Sequence, residues 1–160
     1  MNSEKTLEFK FQRTIQGSPI EIFDGWLSPK VSGTIWNAAD EYIYQPKIRG
    51  LFYWTLQGTA HYGRFTEFQR GRKLVHTWMS PSTSGKETTV TITFEKKGKE
   101  TLMTLVHSDL PNTRNAKGHK RGWNYFLDIF FDQFGTGSRK KYRWEDAHPP
   151  KKSKKRSVRK

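Results

Sequence analysis

The sequence predicts an α+β domain: an antiparallel sheet of about six or seven strands, one or two short helices after the first strand, and a long C-terminal helix. Three observations predict it. Strand-like alternation recurs from residue 6 to residue 107. The joins between these segments are short, which leaves no room for parallel crossovers. Finally, Gly118–Phe134 (GHKRGWNYFLDIFFDQF) places Trp123, Phe126, Leu127, Phe130, Phe131 and Phe134 at the spacing of one broad apolar helix face. A single aromatic helix arriving last has to pack on the sheet. A curved sheet wrapped around one helix often encloses a cavity.

The elements follow in order. Thr6–Ile15 alternates Leu7, Phe9 and Phe11 with Glu8, Lys10 and Gln12, as a half-buried strand does. SPIEIFDGWL comes next, with Ser18 as N-cap, Pro19 at the first helical position and Glu21 completing a capping box. Ile20, Phe23, Trp26 and Leu27 form the apolar side of that short helix, and Ser28-Pro29 ends it. A second short helix or turn is expected toward Trp36. Strands are then expected at Glu41–Ile48, Leu51–Leu56, Ala60–Gln69, Lys73–Met79, Thr88–Lys96 and Thr101–His107. Arg49-Gly50, Gln57-Gly58, Arg70-Gly71, Ser84-Gly85 and Lys97-Gly98 supply the turns. Pro46 argues for an edge position or a bulge in the first of these strands. Leu110-Pro111-Asn112 breaks the series ahead of the long helix.

At 160 residues the chain reads as one folded domain, residues 1–138, followed by a basic tail, residues 139–160. The formal charge of +14 is uneven. The tail carries eleven Lys/Arg against Glu145 and Asp146; residues 1–138 carry eighteen against thirteen acidic side chains, a net of only +5. Cysteine is absent, which excludes disulfides, thiolate metal sites and a cysteine nucleophile. No signal-like or membrane-length apolar run occurs, so a soluble cytoplasmic protein is expected.

Catalytic signatures are missing. The five histidines (61, 76, 107, 119 and 148) show no HxH or HxxxH spacing, so no metal site is expected. No GxSxG elbow and no Walker sequence occurs, and no cofactor is expected. His107 and Asp109, in TLVHSDLP, sit where the last strand turns toward the helix and offer an acid/base pair only if both point inward. Arg64 in a cavity would imply an anionic ligand, and a surface position is favoured.

FQRTIQGSPIEIFDGWLSP, HYGRFTEFQRGRKLVHTW, TLVHSDLP and GHKRGWNYFLDIF, in that order and spacing, resemble the START-like helix-grip superfamily. Within it they are most similar to the branch of the activator of heat-shock protein 90 ATPase C-terminal domain. The resemblance spans roughly residues 7–135. It implies a curved sheet gripping the last helix with a cavity or groove between them. Relatives include lipid carriers, polyketide cyclases, stress-induced plant binding proteins and co-chaperone domains, so fold is better specified than function.

The expected function is non-enzymatic binding of a small apolar or amphipathic ligand between sheet and helix. Trp36, Trp54, Tyr62, Trp78, His107, Trp123 and Leu127 are the expected lining. One alternative is a co-chaperone-like module that stimulates a heat-shock protein 90 type ATPase. A second is a cyclase or hydrolase using the same pocket. The tail, through Lys151, Lys152, Lys154, Lys155 and Arg156, is expected to be disordered and to attract polyanions, either nucleic acid or an acidic membrane.

Overall fold

The computed structural model describes residues 5–135. Its elements are β1 (Thr6–Gln16), α1 (Pro19–Trp26), α2 (Ile35–Ala38), β2 (Glu41–Tyr44), β3 (Leu51–Leu56), β4 (Thr59–Gln69), β5 (Lys73–Trp78), β6 (Thr88–Lys97), β7 (Glu100–Pro111), α3 (Arg114–Lys117) and α4 (His119–Gly135). The seven strands form one curved antiparallel sheet in the order β1-β7-β6-β5-β4-β3-β2. This is the α+β helix-grip fold that the alternation and the long helix predict. The tail residues named above lie outside the described residues.

Local chemistry sets the element boundaries. Ser18 caps α1, accepting from the Glu21 N–H at 3.1 Å. β2 stops at Tyr44, well short of the expected Ile48, because Pro46 cannot donate to a ladder. β2 is also an edge strand, so the missing donor has no partner to disappoint.

β7 runs on to Pro111 rather than stopping at His107. A bulge interrupts its pairing with β1: Leu7 opposes Leu110, but Phe9 opposes His107. Asp109 takes up the extra residue with φ 67°.

The core is aromatic. Phe23, Trp54, Phe65 and Phe130 are fully buried, with Ile15, Ile92 and Leu105 between them. Of the expected helix face, Trp123, Phe126, Leu127 and Phe130 are buried on the sheet, whereas Phe131 lies at the edge of that face and is exposed. Trp26 of α1 packs edge-on against Phe130, with ring centres 5.1 Å apart. Arg13 of β1 adds a polar strut, reaching Asp128 Oδ1 at 2.8 Å and Asn124 Oδ1 at 2.9 Å. The helix is thus held along its length, and its first turns sit over β3, β4 and β5.

Candidate functional site

At that end of the helix the sheet and α4 leave a cavity of about 250 Å³. Trp54 and Leu56 of β3, His61 of β4 and Trp78 of β5 form one wall. His119, Gly122, Trp123 and Phe126 of α4 form the other, with Asn115, Gly118 and Ser82 beside them. None of these lining side chains is a carboxylate, a lysine or an arginine.

Cross-strand pairing builds the first wall. Trp54 lies directly opposite His61, and their rings stack with centres 4.1 Å apart. Trp78 is the hub. Its ring lies 5.2 Å from His61, 5.1 Å from Trp123 and 5.6 Å from Trp54, centre to centre. Of the expected ligand-lining residues, Trp54, Trp78 and Trp123 therefore come together here.

The other four do not meet at the cavity. His107 is fully buried one layer behind it, and Leu127 lies in the core further along the helix. Trp36 is buried on the far side of Phe52, stacked on Tyr44 at 4.1 Å. Tyr62 faces outward. Phe65 is buried, so alternation turns Gly63 and His61 inward and Tyr62 to the opposite face of β4. Phe126, one of the aromatic residues on the helix face predicted from the sequence, also lines the cavity, and so does His119, which the apolar spacing does not mark although it shares the face carrying Trp123.

His107 and Asp109 do not form a pair. Strict alternation would put them on one face, but the Asp109 bulge intervenes, leaving His107 and Leu110 inward and Asp109 exposed. Asp109 instead accepts from Thr89 Oγ1 at 3.2 Å. Arg64 is at the surface, 3.3 Å from Glu87.

The imidazoles are committed to the scaffold. An indole N–H can only donate. Trp78 Nε1 therefore donates to His119 Nε2 (3.1 Å), and His119 Nδ1 carries the proton given to the Ala116 carbonyl (2.8 Å). Likewise Trp123 Nε1 donates to His107 Nδ1 (3.0 Å), and His107 Nε2 donates to Thr88 Oγ1 (2.8 Å). The Thr88 hydroxyl passes the chain on to the Trp78 carbonyl at 2.7 Å. Both networks need neutral imidazoles.

Burial acts in the same direction. It lowers His61 and His76 to about 4 and holds His107 well below the usual histidine range, with His119 adding to the effect on His61 and His107. His119 is lowered too, mainly by burial, with its bond to Ala116 opposing. The Nδ1 of His61 has no hydrogen-bond partner, although the backbone of Trp54 and Thr59 lies close enough to oppose its shift. The site is a neutral, ring-lined space, and the His107 and His119 nitrogens are already taken.

A second feature lies on the outer face of the sheet. Ile43 (71% exposed), Leu51 (60%) and Tyr62 (47%) border a shallow apolar hollow with Tyr53 and Gln45. Among the described residues no helix is long and apolar enough to cross a membrane. No cluster of three or more metal-ligating side chains occurs among them either.

Comparison with solved structures gives the same fold. A Mesorhizobium loti protein superposes with a TM-score of 0.67 at 16% identity, covering 82% of this chain and 98% of its own. An HSP90 activator from Plasmodium falciparum gives 0.62 at 22% identity, covering 76% and 91%. The Aha1 dimer from Colwellia psychrerythraea gives 0.65 at 15% identity, covering 82% and 98%. No protein of curated function matches the sequence. Residues 16–134 match the profile of the Activator of Hsp90 ATPase homolog 1-like proteins. That match takes in both cavity walls and most of the sheet, and on it the chain belongs to the Activator of Hsp90 ATPase homolog 1-like family.

Proposed function

We propose that this protein binds a small, uncharged, largely apolar ligand between the first turns of α4 and strands β3–β5. The observation that carries the reading is the cavity wall: three tryptophans, Phe126 and two imidazoles held neutral, with no ionic side chain. A charged ligand would lose its hydration there and meet no counter-charge. A dry cavity of about 150 Å³ holds benzene, so one of about 250 Å³ holds on the order of ten non-hydrogen atoms. Burial at about 25 cal/mol per Å² of apolar surface supplies the driving force. The wall holds the Ser82 hydroxyl but no carboxylate to pair with a histidine, which supports a binder rather than a cyclase or hydrolase. The cysteine-free composition fits a cytoplasmic setting.

Native against denaturing mass spectrometry on freshly purified protein, followed by titration with naphthalene, tests this. The expected result is a non-covalent adduct of that size, or saturable naphthalene binding that Phe126→Ala alters. A clean apo mass with no naphthalene binding would overturn the reading.

That outcome favours the second reading, a co-chaperone-like module that docks a chaperone ATPase. The exposed apolar hollow around Ile43, Leu51 and Tyr62, beside the edge strand β2, supports it.

For the tail we propose electrostatic tethering to polyanions. Deleting residues 139–160 is expected to abolish salt-sensitive retention on heparin while leaving the circular dichroism spectrum unchanged. Retention that survives the deletion would refute it.

A further inference from the structure

We propose that His107 and His119 are positioning residues that make this cavity proton-gated: neutral, they hold Trp78 and Trp123 in its walls, and protonated, they release them. The inference rests on the ligand-binding reading of the cavity and adds its regulation.

The geometry is a pair of reciprocal latches. Trp78, on the sheet, donates to His119 on the helix, and Trp123, on the helix, donates to His107 on the sheet. His119 and Trp123 stand four residues apart and so share one helix face. Each latch bond crosses the seam that the cavity occupies, and three of the four rings line it. Adding a proton to the accepting nitrogen of either imidazole puts an N–H against an indole N–H. Two donors then meet at about 3 Å and the bond is lost.

Among the described residues no carboxylate bonds to either ring; only the Ala116 carbonyl, bonded to His119 Nδ1, favours a positive charge there, and burial outweighs it. The His119 ring faces His107 of β7 at 5.0 Å and Trp78 of β5 at 6.2 Å, centre to centre, and its charge also acts on His61 of β4. The His107 ring faces Thr88 of β6, Trp123 of α4 and Trp78 of β5, and is acted on by His76 of β5. The charged residues of α3 and the first turn of α4 (Arg114, Lys117, Lys120 and Arg121) are exposed and all basic. A second proton in this group is therefore opposed by the first. Of the four imidazoles His119 is the one only partly buried, so it takes up its proton first as the pH falls. Its latch opens first, while the fully buried rings still hold the fold.

The test uses naphthalene, which has no titratable group, and the tryptophan indole N–H resonances of the whole protein. Between about pH 7.5 and about pH 5, binding should weaken about tenfold for each latch bond lost, with the far-UV circular dichroism unchanged. The Trp78 indole resonance should move or broaden over the same range.

His119→Gln supplies an amide oxygen that accepts but does not titrate, and it should keep binding at the acidic pH. His119→Phe should bind weakly at both. Wild-type affinity that stays flat while the chain remains folded would overturn the gate. So would a His119→Gln protein that loses affinity as the wild type does. Failure of naphthalene to bind at any pH would sink the ligand reading alone. The indole resonances then decide the latch: movement on acidification supports it, and an unchanged Trp78 signal refutes it.

Discussion

Replacing Gly33 with alanine is expected to destabilise the protein by at least about 4 kcal/mol, lowering its melting temperature by about 10 °C or more. The loop between α1 and α2 runs directly under the final helix. A Cβ on Gly33 would sit 2.3 Å from the Phe130 amide nitrogen, 2.7 Å from its Cα and 2.9 Å from the Phe126 carbonyl oxygen. All three are backbone atoms, so no side-chain rotation relieves the clash. Gly33 also has φ 94°, which adds the strain of a left-handed conformation.

Gly58→Ala separates the two effects. Gly58 has φ 83°, but nothing lies within 4 Å of its Cβ position, so it bears the conformational cost alone, about 1 kcal/mol. Thermal melts followed by circular dichroism compare them. Equal melting temperatures for the two variants would mean that the loop yields and that the grip on α4 is not close-packed there. A large gap locates the seam on which the whole fold depends. If Gly33→Ala does not accumulate as soluble protein while Gly58→Ala does, the same conclusion follows.

The outline of this fold is legible because its elements are short, regular and separated by turn chemistry. Ser18 and Pro19 mark α1 in the sequence and cap it in the structure. The apolar spacing of Trp123, Phe126, Leu127 and Phe130 marks the buried face of α4. What alternation leaves open is which face of a strand looks inward. Tyr62 and His61 are neighbours on β4, and choosing the tyrosine as a lining residue inverts the strand. Phe65, three residues on, carries the information that settles it.

The Asp109 bulge hides for a different reason. Neither Ser108 nor Asp109 is a residue that demands a bulge, so the separation of Asp109 from His107 appears only once β1 is paired to β7. The latches are legible in half. His119 and Trp123 show their helical spacing, but their partners lie 41 and 16 residues away on two separate strands. Lone histidines on strands carry no sign that an indole will donate to them.

Acid should unfold this protein well before its carboxylates alone would. His61 and His76 each titrate near 6.5 when exposed in the unfolded chain and at about 4 in the fold. The folded value is the lower one, so below about pH 6.5 the unfolded chain binds the extra protons. Their contribution to stability is complete above that pH and drains away as the pH falls toward about 4. At 1.36 kcal/mol for each pH unit, each ring accounts for about 3 kcal/mol by pH 4 and the two together for about 6 kcal/mol. His107, held lower still, adds to the same loss. A domain of this size has about 5–15 kcal/mol to lose. The ion pairs, such as Asp24 with Arg70, are exposed and screened by solvent, and cannot set the transition. Urea unfolding at a series of pH values should therefore show stability falling steeply between about pH 6.5 and about pH 4. His61→Phe provides the specific check. Its ring already stacks on Trp54 and its Nδ1 has no partner to lose, so phenylalanine keeps the stacking and removes one proton site. The variant should match the wild type to within about 1 kcal/mol near neutrality and exceed it by about 3 kcal/mol near pH 4. A wild-type curve that is flat across that range would mean that the buried histidines are neutral at little cost, and the proton gate would lose its physical basis with them.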